Sequence, residues 1–256
     1  MNQYEAISYR RTVRKFDFRP ISEELIQKLH HFIKELSPWN ETCVWKLDII
    51  VNTSGKAAVK GFGTVPAPYY LVFYGGKESD ARRNAGYILE QMILYLTTKG
   101  LGTCYQGAAQ LTEKKKMGSL QALMVVAFGF PVKRLLRDST TAKRHPLKEL
   151  CIFKEEIGEE EKAVLYAARL APSALNLQPW RFVVYKNRIH IFTRKKQFWE
   201  RQGAYLLEID LGIVLCHMQL AAEEQWMSTA FAREEKILEM NMKNLDYVTT
   251  LSLHVS

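Results

Sequence analysis

The chain lacks several features that would have fixed its chemistry at once. Its four cysteines, Cys43, Cys104, Cys151 and Cys216, are widely spaced and form no C-x-x-C pair, so neither a zinc site nor a redox dithiol is indicated. Four reduced, buried thiols are expected. The six histidines show no spacing that suits a metal or a catalytic triad, and His30 and His31 lie on an ordinary helical pattern. No dinucleotide-binding glycine fingerprint is present. The longest apolar runs, such as "YYLVFY" and "LMVVAF", are far shorter than the roughly 20 residues of a membrane span. The N-terminus "MNQYEAISYRR" has no apolar signal-peptide core. These absences lead to the expectation of a cytoplasmic protein with no membrane partner and no metal.

What is there is an ordinary globular composition, 47% hydrophobic and 25% charged over 256 residues, with a net charge of +9. Such a charge suits nucleic acid, an anionic membrane or a phosphorylated small molecule. The basic residues are scattered as "RRTVRK", "KKK" at 114–116, "AKR" at 142–144 and "TRKK" at 193–196, with no continuous tract and no nucleic-acid motif. No nucleic-acid partner is expected.

Periodicity gives the elements. Residues 21–36 form an amphipathic helix with Ser22 as N-cap and a stripe of Leu25, Leu29, Phe32, Ile33 and Leu36. "CVWKLDIIVN" and "APYYLVFYGG" read as strands, "NAGYILEQMILYLTTKGLG" as a long helix stopped by Gly100 and Gly102, and "LMVVAFGFP" as a strand closed by Pro131. The order then recurs. "IGEEEKAVLYAARLAPSALNLQPWRFVVYKN" overlies "ISEELIQKLHHFIKELSPWNETCVWKLDIIVN", and "DLGIVLCHMQLAAEEQW" overlies "NAGYILEQMILYLTTKG" with Gly212 on Gly86 and Met218 on Met92. Two related halves are expected, residues 1–152 and 153–256.

Near the N-terminus "YRRTVRKF" sets Arg10, Thr12 and Arg14 at alternating positions, so an extended segment projects them to one side. Guanidiniums offer planar forks of donors and make a natural phosphate clamp. The same residues also suit a solvated basic face ahead of the first helix. "AKRHPL" at 142–147 is a second basic cluster, able to close on the same anion. Trp180 opens a strand and is expected in the core.

Five segments, "RRTVRKF", "GLGTCYQG", "VVAFGFP", "RHPLKEL" and above all "APSALNLQPWRFVV", resemble the signature segments of the FMN-dependent nitroreductase family across nearly the whole chain. The order is broken here. The first half has only "SPWNE" where the Pro-Ser-Asn-Gln-Pro-Trp motif belongs, and the good copy comes late. The resemblance implies an α+β fold, a mixed central sheet flanked by helices, here duplicated as a pseudo-dimer within one chain. The family's members are homodimers with FMN at the interface, so this chain is expected to form that interface with itself, as a monomer, with a homodimer as the other arrangement.

By that resemblance Arg10, Arg11, Thr12, Arg14, Leu101, Gly102, Thr103 and Arg144 of the first half, with Pro172, Ser173, Ala174, Asn176 and Gln178 of the second, hold one FMN. The arginines would take its phosphate, and the "GLGT" backbone would reach the flavin ring. No side chain is assigned to acid–base chemistry, because the flavin carries the reaction. NADH or NADPH is the implied donor, and a nitroaromatic, quinone or similar small molecule the implied acceptor. The other function expected is a non-catalytic protein that binds flavin or another phosphorylated ligand.

Overall fold

The alternating and helical patterns of the sequence resolve into two units, Met1–Thr141 and Ala142–Ser256. The structure, a computed structural model, describes residues 1–55, 58–113, 117–133, 135–195, 204–238 and 242–255. The basic run 114–116 and Lys196 lie outside the described residues.

The first unit opens with α1 (Gln3–Tyr9) and β1 (Phe16–Asp17), followed by α2 (Glu23–Glu35), β2 (Trp45–Val51), β3 (Val59–Lys60), β4 (Tyr69–Gly75), α3 (Ser79–Thr98), β5 (Gly102–Tyr105), β6 (Gln110–Leu111) and β7 (Gln121–Pro131). Its main sheet runs β1-β7-β4-β2, with β5 also paired to β7, and every pairing is antiparallel. Every residue of β4 is buried, as its unbroken apolar run requires of a central strand. Ser22 accepts from the Leu25 amide and caps α2 as its sequence indicates. Gly100 adopts a left-handed φ of 78° just past α3. The Gly100 amide bonds Thr97 O and the Leu101 amide bonds Leu96 O, a Schellman ending. Gly102 is not part of that stop and begins β5, a strand hidden in what the sequence presents as a turn.

The second unit contains α4 (Leu147–Leu150), β8 (Cys151–Phe153), α5 (Glu159–Leu170), β9 (Trp180–Tyr185), β10 (Arg188–Arg194), α6 (Ala204–Glu224), β11 (Met227–Ala232), α7 (Glu235–Leu238) and β12 (Leu245–Val255). Its sheet runs β11-β12-β10-β9-β8, antiparallel except where β8 joins β9. A sequence division after residue 152 would cut β8 and leave Cys151 apart from Phe182, its register partner on β9. Leaving aside the small β3–β6 pair and the short α7, both units contain the order helix, two strands, helix, two strands, with sheet order β2-β4-β7-β5 in one and β9-β10-β12-β11 in the other.

Helix α6 contains a stretch, Tyr205–Glu224, long and apolar enough to cross a membrane, which no single uninterrupted apolar run in the sequence suggests. Two thirds of its apolar 18-residue window is buried (67%), so packing accounts for its apolar character.

Candidate functional site

Within the first unit, α1 stops at Arg10, and the chain continues extended because β5 holds it there. Thr12 bridges to Thr103, and the Val13 amide donates to Thr103 O at 2.9 Å. Gly102 makes this approach possible, since a Cβ on it would lie 2.6 Å from a methyl of Val13. Leu101 and Thr103 are buried beside it. These three residues therefore serve to seat the Arg-bearing segment on the sheet.

Arg10 turns inward. It is 4% exposed, and its Nε lies 3.6 Å from Oε1 of the fully buried Glu90, whose Oε2 accepts from Tyr105 OH at 2.9 Å. The Arg137 amide donates to Tyr9 O at 2.9 Å, which brings that residue to the end of α1. Arg10 Nε, Arg137 Nε and Arg137 Nη2 are all buried without a hydrogen-bond partner. Burial, then the charges of Arg10 and Arg11, push the Arg137 guanidinium down to about 10, against the pull of Glu90. Each buried donor left unsatisfied costs about 1–3 kcal/mol. Two guanidiniums, those of Arg10 and Arg137, beside one carboxylate make a site whose missing partner is an anion, and a phosphate monoester, dianionic with three acceptor oxygens, fits it.

The remaining basic residues form a separate feature. Arg11, Thr12, Val13, Arg14, Lys15 and Lys133 line an open cavity of about 240 Å³. Lys133 arrives there because β1 pairs with β7 and the Val132 amide bonds Lys15 O at 3.1 Å. The expectation that Arg10, Thr12 and Arg14 share one side is corrected for Arg10 alone: Thr12 and Arg14 line the cavity together, with Arg11, while Arg10 is buried against Glu90. A buried carboxylate, that of Glu90, decides that split.

In the second unit the loop between α5 and β9 is tied from several directions. Ser173 Oγ accepts from the Gln178 amide at 2.9 Å, and both carboxylate oxygens of Asp210 on α6 accept from the Ala174 amide, at 3.0 and 3.1 Å. Gln178 is buried, with Oε1 accepting from the His145 amide at 2.8 Å and Nε2 donating to Asn176 O. Leu175, Asn176 and Gln178 all have left-handed backbones, at φ 51°, 58° and 47°. Leu175 is also 93% exposed, an unfavourable combination for a leucine. Pro172, Ser173 and Ala174 are half-buried. Trp180 is fully buried, as its strand position predicts.

Arg144 belongs to the second unit and to this loop. Its guanidinium donates to Asn176 Oδ1 at 2.8 Å, to Ala171 O at 3.1 Å, to Leu170 O at 3.2 Å and to Lys143 O at 3.0 Å. Asn176 Nδ2 returns a bond to Lys143 O. The expectation that Arg144 and Asn176 come from opposite halves is thus corrected, because β8 draws residues 142–153 into the second unit. Helix α5 ends with open carbonyls, which take up donors that the sequence assigns to phosphate.

Two residues of this chemistry escape the sequence reading. Arg137 follows β7 in "FPVKRLLRDS", where only its basic character and position signal it. Asp210 is a lone acid opening an apolar stretch, and burial pushes its carboxyl up to about 8, opposed by the Ala174 amide.

Residues 2–222 match the model of the family described as "Putative TM nitroreductase". The chain belongs to that nitroreductase family. The solved structure of a nitroreductase-like protein from Thermotoga maritima MSB8 shares its fold: 22% identity, TM-score 0.67, covering 100% of this chain and 94% of that one. Two curated relatives, each described as a "Putative NAD(P)H nitroreductase", are similar over part of the chain. That of Staphylococcus haemolyticus is 28% identical over 111 residues, 43% of this chain and 45% of the relative. That of Staphylococcus saprophyticus is 26% identical over 99 residues, 39% of this chain and 45% of the relative. The matched region thus spans less than half the length of either relative.

Proposed function

We infer that this nitroreductase-family chain is an FMN-dependent NAD(P)H oxidoreductase that reduces a nitroaromatic, quinone or similar small acceptor. The observation that carries this is the set of buried guanidinium nitrogens on Arg10 and Arg137 that make no hydrogen bond. In a protein interior such donors call for an anion with several acceptor oxygens, and the FMN phosphate is such a group. The names of the staphylococcal relatives support the donor.

In this reading Arg10 and Arg137 hold the phosphate, with Arg11 adding charge. Glu90, braced by Tyr105, orients Arg10 so that the site is formed in advance. Leu101, Gly102 and Thr103 fix the backbone that carries these groups. In the second unit the half-buried Ser173 and Ala174 lie in a loop held by Asp210 and by the Arg144–Asn176 bond. Bound FMN would supply hydride acceptance from the donor and electron delivery to the acceptor at one shared site. The chain's own task is to bind and orient, so no acid–base pair is assigned.

The test is an absorbance spectrum of the protein after incubation with excess FMN and gel filtration, followed by NAD(P)H oxidation with a nitroaromatic or a quinone. A protein that retains no flavin and oxidises neither donor sinks this reading. Retained flavin without reduction by either donor would instead establish a flavin-binding protein that is not a reductase. The mass of the flavin-bound species distinguishes a monomer from a homodimer.

A further inference from the structure

Strand β2 forms one end of the first unit's sheet. Among the described residues it pairs with β4 alone, from Trp45↔Gly75 to Val51↔Tyr69, and no strand lies on its other edge. In the second unit β9 holds the same place in the sheet order and also opens on a tryptophan. It is paired on both sides, antiparallel with β10 and parallel with β8. This place in the fold therefore accepts an added strand.

The β2 edge has few of the devices that keep an edge strand solitary. It runs for seven residues without proline or glycine, and its pairing with β4 contains no bulge. Val44 and Val51 at its two ends are 71% and 62% exposed. The one device present is the exposed charge of Lys46.

The order of residues selects what covers this edge. In an antiparallel pair, directly opposite residues share a face, so a two-fold axis joining two copies of β2 must pass through a residue. An axis at Asp48 sets two aspartates against each other, and one at Lys46 sets two lysines. An axis at Ile49 places Asp48 against Ile50. Only at Leu47 does each Lys46 meet Asp48 of the other copy, while Trp45 meets Ile49 and Leu47 meets Leu47 on the opposite face. That apolar face is continuous with the unit's own packing, since Trp45 stacks on Phe73 with ring centroids 6.0 Å apart. The strand is thus complementary to itself in both charge and apolarity.

We propose that the chain forms a homodimer by joining β2 of one copy to β2 of another, antiparallel and centred on Leu47. Strand β5, which seats the Arg-bearing segment, lies at the other end of the order β2-β4-β7-β5, so this association requires no flavin.

Sedimentation velocity of the full chain over a concentration series, with and without FMN, should show the mass rising from that of a monomer toward twice that value. Asp48→Lys sets lysine against lysine twice and should weaken the dimer roughly tenfold or more; Lys46→Asp sets aspartate against aspartate with the same result. An equimolar mixture of these two variants restores both opposite-charge pairs and should dimerise as the parent does. Thermal melts of each variant report whether its fold is kept, and the mixture separates a lost interface from a damaged one. A parent that stays monomeric throughout the series overturns the proposal. So does a dimer that either single substitution leaves unchanged, or a mixture that associates no better than its components.

Discussion

The guanidinium of Arg144 donates to the side-chain oxygen of Asn176 at 2.8 Å, within the second unit. Its other donors meet the last carbonyls of α5, so the residue closes a helix and braces a loop. Arg144→Ala is therefore expected to cost about 1–3 kcal/mol of stability in urea unfolding. Affinity for phosphate or FMN should fall far less than in Arg137→Gln. A variant of unchanged stability that loses FMN would return Arg144 to the phosphate site.

Arg137→Gln should show the opposite pattern. Its guanidinium is held down by burial and by Arg10 and Arg11, so removing it relieves repulsion in the flavin-free protein. Stability without ligand should hold or rise, while FMN affinity drops roughly ten- to a hundredfold. Calorimetry and thermal melts on one preparation check both, and tight FMN binding by the variant would remove Arg137 from the site.

Asp210→Asn should flatten the dependence of stability on pH. The folded carboxyl titrates at about 8 against its ordinary 3.8, so between these values the folded state holds a proton that the unfolded state has released. Stability from this group is complete below the ordinary value and is lost as pH rises toward about 8. Asn84 in the first unit shows that an amide can do the same work, since its Oδ1 accepts from the Asn40 amide at 2.9 Å. Urea midpoints at about pH 5 and about pH 9 should converge in the variant; identical slopes in variant and parent would mean Asp210 titrates normally.

Gly100→Ala and Gly102→Ala should both destabilise, for different reasons. At Gly100 nothing lies within 4 Å of an added Cβ, and the cost of about 1 kcal/mol comes from φ alone. At Gly102 the Cβ would strike Val13, costing about 1–3 kcal/mol and shifting the segment that carries Arg11 and Arg14. Only the second substitution should also weaken FMN binding.

Leu175→Asn is expected to stabilise by about 0.5–1 kcal/mol, because asparagine tolerates a left-handed backbone and the exposed leucine contributes little burial. A loss on thermal unfolding would show that the leucine side chain packs in solution.

The sequence by itself determined the local structure. Ser22 announces the start of α2, Gly100 the end of α3, and the apolar run of β4 a central strand, because these depend on neighbours a few residues away. The segments "RRTVRKF" and "APSALNLQPW" likewise mark where unusual backbone and dense polar groups occur. Strand β5 was obscured because its glycine looks like punctuation until Val13 is seen against it. Only the tertiary structure decided which arginine does what. A guanidinium can reach several carbonyls or a carboxylate, and its destination follows from which distant groups burial leaves unsatisfied: Glu90 for Arg10, the end of α5 for Arg144, and no protein acceptor for the buried Nε and Nη2 of Arg137.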